Sequence, residues 1–136
     1  MAETLELEIV TADRLVVKAQ VEEVQVPAKR GYIGVLPGHA PLITELAVGE
    51  VSYRTGATTA RVSLAWGFAE VLPNKVTILA ETAERAEDID VERAEAARAR
   101  AEKLFQEAVS GEDYDNAMAA LQRANTRLEV AGKLPK

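Results

Sequence analysis

The apolar residues of this chain change period once, near residue 86. Before that point they alternate, as in Leu5, Leu7 and Ile9 with Glu6 and Glu8 between them, the spacing of a half-buried strand. After it, alanines and charged residues recur at helical spacing to the C-terminus. The order predicts an α+β architecture. An N-terminal antiparallel β-sandwich over residues 1–86 is followed by a C-terminal antiparallel two-helix hairpin over residues 87–136.

In the first part, Leu15 to Lys18 predicts a second strand. Val24 and Val26 predict a third, closed by Pro27, and Lys29, Arg30 and Gly31 read as a turn. Tyr32 to Leu36 is a short apolar run, and Pro37, Gly38 and Pro41 enforce an irregular loop, because proline cannot donate to a ladder. Gly49 opens a strand through Val51 and Tyr53, turned by residues 54–56. Val62, Leu64, Trp66 and Phe68 fall on one face, with Gly67 marking a bulge or a close backbone approach. Pro73, Asn74 and Lys75 turn the chain into Val76, Ile78 and Ala80. Short strands with turn residues between them predict an all-β sandwich or barrel.

In the second part, Asp88 or Asp90 can cap a helix and Glu92 suits the positive end of its dipole. Ala94, Ala97, Ala101, Leu104 and Ala108 follow 3,4 spacing. After a connection at residues 110–113, Tyr114, Ala117, Leu121, Ala124, Leu128 and Ala131 repeat it. Gly132 is a C-cap candidate and Pro135 prevents continuation. Each helix spans roughly 18 residues, about 27 Å, and a short link makes the two antiparallel neighbours. An alanine seam lets helix axes approach closely but buries little area, and burial stabilises by about 25 cal/mol per Å². Such a hairpin is either an arm that a ligand or partner can open or a permanent structural element.

Charge and composition exclude several classes. The net charge is −6, with 8 basic and 11 acidic residues in each of residues 1–86 and 87–136. That balance, with only three Tyr, two Phe and one Trp, gives no nucleic-acid footprint. Cysteine is absent, which excludes disulfides and thiolate metal sites. The segment MAETLELEIV shows no secretory apolar region, and no run reaches the ~18 apolar residues of a membrane span. The single histidine, His39, has no HExxH or G-x-S-x-G spacing near it. No catalytic residue and no metal site is expected.

Two long motifs carry a resemblance that covers essentially the whole chain. They are GVLPGHAPL, residues 34–42, and WGFAEVLPNKVTILAETAERAEDIDVERA, residues 66–94. The chain resembles the epsilon subunit of F-type ATP synthases. The resemblance implies a non-catalytic central-stalk subunit that couples proton transport to ATP synthesis. Its sandwich would bind the gamma subunit and the ring of c subunits. Its helices would extend toward the alpha/beta catalytic head to inhibit ATP hydrolysis. It also implies a peripheral location on the cytoplasmic, or stromal-equivalent, face of an energy-coupling membrane.

The same resemblance implies site residues. The family motif I/L-D-x-x-R-A, associated with ATP binding in some bacterial members, is matched by Ile89, Asp90, Arg93 and Ala94. Glu84, Arg123 and Arg127 fall where that site has its acidic and basic groups, and guanidinium groups bind phosphate oxygens. No cofactor is required, and ATP is the implied regulatory ligand. Alternatively, Asp90 simply caps the helix and the arginines make ordinary helix-face pairs. Arg93, Arg98, Arg100, Lys103, Arg123 and Arg127 could instead meet acidic surface on the head. The rotor-interface loop is expected to comprise Gly31, Tyr32, Leu36, Pro37, Gly38 and His39. Tyr32 stands where relatives often carry an acidic residue, so the contact chemistry there does not transfer. The rival reading is a free-standing nucleotide sensor that binds ATP in the hairpin without a rotary partner.

Overall fold

The computed structural model describes residues 3–133. Seven strands form one hydrogen-bonded sheet: β1 Leu5–Val10, β2 Leu15–Val21, β3 Glu23–Ala28, β4 Gly31–Val35, β5 Leu42–Thr55, β6 Thr58–Leu72 and β7 Lys75–Arg85. Their order is β2-β1-β7-β6-β5-β3-β4. Every pairing is antiparallel except β1 with β7, which run parallel with Leu7 opposite Val76 and Ile9 opposite Ile78. The expected antiparallel sandwich is present, with that one parallel seam. Leu5, Leu7, Ile9, Val21, Val24, Val51, Val62 and Ile78 fill the interior, each 1% exposed or less.

The sheet folds over on itself at a single level. Leu46 on β5 pairs with Gly67 on β6, which pairs with Ala80 on β7. Below that level β6 and β7 face the core through Ala69, Val71, Val76, Ile78 and Ala80. Above it, β5, β6 and β7 do so through Val51, Val62, Leu64 and Ala83. The inward set therefore changes between odd and even positions across the fold line. Trp66 (φ 56°) and Gly67 (φ 139°) carry the switch on β6, and Trp66 is the only non-glycine at positive φ among the described residues. A left-handed backbone costs an ordinary residue roughly 1–2 kcal/mol. This overturns the single face expected for Val62, Leu64, Trp66 and Phe68: the first two are buried, whereas Phe68 is 55% exposed. At Gly67 a Cβ would lie 2.0 Å from the Leu79 carbonyl oxygen, so the close approach is real.

Two strand boundaries also differ from expectation. Pro27 lies inside β3 rather than closing it, and the β3–β5 register breaks between Gln25 and Ala28. A proline has no N–H for that ladder. Gly49 sits in mid-strand rather than opening β5. A Cβ there would stand 2.7 Å from Pro27 Cβ and 2.8 Å from the Tyr32 hydroxyl, so glycine makes room for both.

A 3₁₀ turn at Ala86–Asp88 leads into α1 Val91–Glu107, and α2 is Gly111–Val130. Asp90 caps α1 by accepting from the Arg93 N–H at 3.1 Å. Ser110 caps α2 by accepting from the Asp113 N–H at 3.1 Å. The link is therefore residues 108–110, shorter than expected, because Ser110 followed by acidic first-turn residues starts a helix. At the other end the Gly132 N–H donates to Glu129 and the Lys133 N–H to Leu128, with Gly132 at φ 80°, a Schellman ending.

In α1 the buried residues are Ala94 and Ala101 alone. In α2, Ala117, Ala124 and Leu128 are buried, and so are Thr126 and Val130, which project from the opposite side at 100° per residue. Both sides are covered because α2 packs against α1 and also carries the hairpin's main contact with β5 and β6. Leu104, Val109 and Tyr114 remain exposed at the tip, where the Phe105 and Tyr114 rings meet at 4.8 Å.

Candidate functional site

Where α1 rises away from the sheet, the hairpin and the sandwich enclose a cleft of about 460 Å³, within the roughly 300–1,000 Å³ of small-molecule sites. The floor is Ser63, Leu64 and Ala65 of β6 with Thr82, Ala83 and Glu84 of β7. The helices contribute alanines, Leu104 and four arginines: Arg93 and Arg100 from α1, Arg123 and Arg127 from α2. The seven-residue steps of α1 place Arg93 and Arg100 on one stripe, and the four-residue step of α2 does the same for Arg123 and Arg127. Small residues between them keep the cleft open.

The charges in the cleft do not cancel. Glu84 is its one carboxylate, and Arg127 Nε lies 2.7 Å from Glu84 Oε1 with the Arg127 side chain 17% exposed. Among the described residues, Arg93, Arg100 and Arg123 have no carboxylate within 4.0 Å. Arg123 instead lies over the Trp66 ring, its guanidinium carbon 5.2 Å from the centroid. A cleft with four guanidinium groups and one carboxylate is suited to an anion with several phosphate oxygens.

The motif residues divide by position. Glu84, Arg93, Arg123 and Arg127 line the cleft, while Ile89, Asp90 and Ala94 do not. Ile89 and Ala94 are packed, 8% and 0% exposed, and the Asp90 carboxylate is spent on the helix cap. Those three residues set where α1 begins, and hence where Arg93 points. Arg100 lines the cleft as well, although it was expected only among the contacts to the head; its seven-residue distance from Arg93 was the available clue. Of the other cations in that set, Arg98 is paired to Glu102 at 3.0 Å, and Lys103 is exposed.

The expected rotor loop is split. Gly31 and Tyr32 belong to β4, and the Tyr32 hydroxyl accepts from the Glu50 N–H at 2.9 Å. Burial is the main cause that pushes the Tyr32 hydroxyl pKa up. Leu36, Pro37, Gly38 and His39 form the loop proper. The Gly38 N–H donates to the Pro73 carbonyl at 2.7 Å, which ties this loop to the β6–β7 turn.

One apolar feature escaped the sequence. Phe68, Leu79, Val10 and Leu15 lie in register across β6, β7, β1 and β2. Phe68, Leu79 and Leu15 are each more than half exposed. Alternation places Phe68 on one face with Val62 and Leu64, which hides the row. A contiguous exposed apolar row marks an interaction surface.

A β-sandwich bearing a capped, alanine-seamed helical hairpin is thus the class of protein the fold defines. The family model described as ATP synthase, Delta/Epsilon chain, beta-sandwich domain matches residues 4–86. The one described as ATP synthase, Delta/Epsilon chain, long alpha-helix domain matches residues 87–132. The chain is 63% identical over 106 residues to the ATP synthase epsilon chain of Koribacter versatilis, covering 78% of this chain and 75% of that one. It is 48% identical over 133 residues to the epsilon chain of Solibacter usitatus, covering 98% and 99%. The chain belongs to the ATP synthase delta/epsilon family, as an epsilon-type, non-catalytic subunit.

Solved structures agree on the fold. A chain of the Euglena gracilis mitochondrial ATP synthase OSCP/F1/c-ring structure superposes with TM-score 0.79 at 24% identity, covering 94% of this chain and 81% of that one. A chain of the Tetrahymena thermophila mitochondrial ATP synthase central stalk/c-ring gives 0.61 at 9%, covering 95% and 97%. Nothing in these comparisons supports the free-standing nucleotide sensor. No described helix is long and apolar enough to cross a membrane.

Proposed function

We propose that this subunit sits in the central stalk of an F-type ATP synthase, where it couples proton transport to ATP synthesis and its hairpin restrains ATP hydrolysis. In the structure the hairpin lies folded on the sandwich; ATP binding in the cleft would hold it there. The observation that carries this reading is the cleft: Arg93, Arg100, Arg123 and Arg127 converge on one space, with a single carboxylate among them. The hairpin cannot serve both purposes at once. In the folded form these arginines face the cleft; in an extended form they become available to acidic surface on the alpha/beta head. ATP is a regulatory ligand here, and no cofactor is needed for attachment.

The exposed row Phe68, Leu79, Val10 and Leu15 and the loop at residues 36–39 are the anchoring surfaces for the gamma subunit and the c ring. Their position leaves the hairpin free to move. The complex would place this subunit peripherally on the cytoplasmic, or stromal-equivalent, face of its membrane.

Two measurements test the reading. Calorimetric titration with MgATP should show binding to the full chain, and Arg93→Ala with Arg100→Ala should weaken it at least about tenfold, since each charged hydrogen bond is worth roughly 1.5–3 kcal/mol. Separately, a catalytic head lacking this subunit should lose hydrolysis on adding the full chain and keep it on adding residues 1–87. Equal inhibition by both would move regulation into the sandwich. Absence of MgATP binding would remove the nucleotide and leave the hairpin's role to the second measurement.

A further inference from the structure

Trp66 is an anomaly on three counts. It is the chain's one tryptophan. It occupies a left-handed backbone position at φ 56°, which a bulky residue rarely adopts. And it stands at the fold line of the sheet, directly before Gly67, where the strand passes close to the Leu79 carbonyl. The kink itself does not call for tryptophan: glycine would adopt the same backbone freely. A strained, bulky residue kept at such a site points to something the side chain does.

What the ring touches supplies the answer. The Arg123 guanidinium lies over it, with 5.2 Å between the guanidinium carbon and the ring centroid. Arg123 belongs to α2, the helix that holds the hairpin against the sheet. Among the described residues it has no carboxylate partner. The cleft that Arg123 lines carries mainly small residues, among them Ala120 and Ala124 on the helix and Ser63 and Ala65 on the strand. In a seam so poor in apolar area, one indole–guanidinium contact is a large fraction of what holds the middle of α2 down.

We propose that Trp66 and Arg123 form a clasp that keeps the hairpin folded on the sandwich and fixes the direction of the Arg123 guanidinium. The Glu84–Arg127 ion pair, one helical turn further along α2, is the second fastening. The clasp stands on the geometry alone. Its consequence for phosphate binding, that Trp66 is a positioning residue for Arg123 in the cleft, rests on the cleft reading above. Opening the hairpin requires the ring and the guanidinium to part, so the environment of Trp66 changes with the state of the arm.

Hydrogen exchange on the full chain without nucleotide tests the clasp. Trp66→Gly relieves the backbone and removes the ring, so the sandwich should fold at least as well. Amides of α2 near residues 120–127 should then exchange about 3- to 30-fold faster, the factor corresponding to a cation–π contact of roughly 0.6–2 kcal/mol. Protection in β1 and β7 should not fall. Arg123→Gln should reproduce the acceleration, and the double variant should be no faster than either single one. Effects that multiply in the double variant, or unchanged α2 exchange in Trp66→Gly, would overturn the clasp. A MgATP titration of the same proteins reads the second part: with wild-type binding present, Trp66→Gly should weaken it several-fold. If the wild-type chain does not bind MgATP, the cleft reading fails, while the nucleotide-free exchange data still decide the clasp.

Discussion

The sandwich and the hairpin are held together by different amounts of the same material. The sandwich buries leucine, isoleucine or valine from all seven of its strands, several of them fully. The hairpin buries Ala94 and Ala101 from α1, and leucine or valine only near the end of α2, at Leu128 and Val130. At about 25 cal/mol per Å², an alanine seam contributes far less than a leucine seam of equal length. The hairpin is therefore fastened at its C-terminal end and increasingly loose toward the tip, where Leu104, Val109 and Tyr114 are exposed. Such a gradient gives a body that stays folded while an arm detaches, and it makes a few polar contacts, Glu84 with Arg127 and Trp66 with Arg123, disproportionately important.

The largest test of that contrast is Leu7→Ala, in the sandwich and 0% exposed. It should cost about 2–5 kcal/mol in denaturant unfolding, the cost of a buried cavity, and lower the protection of every strand. A loss confined to the neighbours of Leu7 would mean the sandwich is not one cooperative unit. Ala124→Leu probes the other side. Ala124 is 2% exposed in the hairpin seam, and a larger side chain there should cost about 1–3 kcal/mol through overpacking. That loss should appear as faster exchange in α1 and α2, with the strands unaffected. If the sandwich melts earlier as well, the two regions are coupled more tightly than their packing indicates.

The two regions were also unequally legible in the sequence. The α+β order and both helices follow from the periods alone, because a strand alternates and a helix repeats over three or four residues. The faces within β6 did not follow. Val62 and Leu64 obey alternation, but Trp66 and Gly67 invert it, and a period cannot reveal that a strand changes face in its middle. The exposed row through Phe68 and Leu79 was missed for that reason. Parallel pairing of β1 with β7 was hidden too, since it joins segments some seventy residues apart. In the site, Glu84, Arg93, Arg123 and Arg127 were legible through resemblance to a family motif. The separation of Asp90, a cap, from Arg93, a cleft residue, needed coordinates.

The smallest expected effect lies in a carboxylate. Two glutamates of the sandwich are fastened to arginines: Glu84 to Arg127 of the hairpin, and Glu22 to Arg54 at the sandwich edge. Glu22 also accepts from the Gly56 N–H at 2.6 Å, which closes the β5–β6 turn. That backbone hydrogen bond, and then Arg54, lower its pKa from the ordinary glutamate value. A depressed folded-state pKa means its contribution is complete above the unfolded pKa and is lost as pH falls through the folded one. Acidification should therefore loosen the β5–β6 turn over that window, and Glu22→Gln should flatten this part of the stability profile while leaving neutral-pH hairpin exchange unchanged. Glu8, lowered chiefly by accepting from the Glu6 carboxyl when that group is protonated and then by Lys75, and Asp13, lowered chiefly by Thr11, titrate in the same direction. An equally steep profile in Glu22→Gln would assign the acid sensitivity to them. Loosening of the hairpin in Glu22→Gln would instead show that the turn and the arm communicate, against the division of body and arm drawn from their packing.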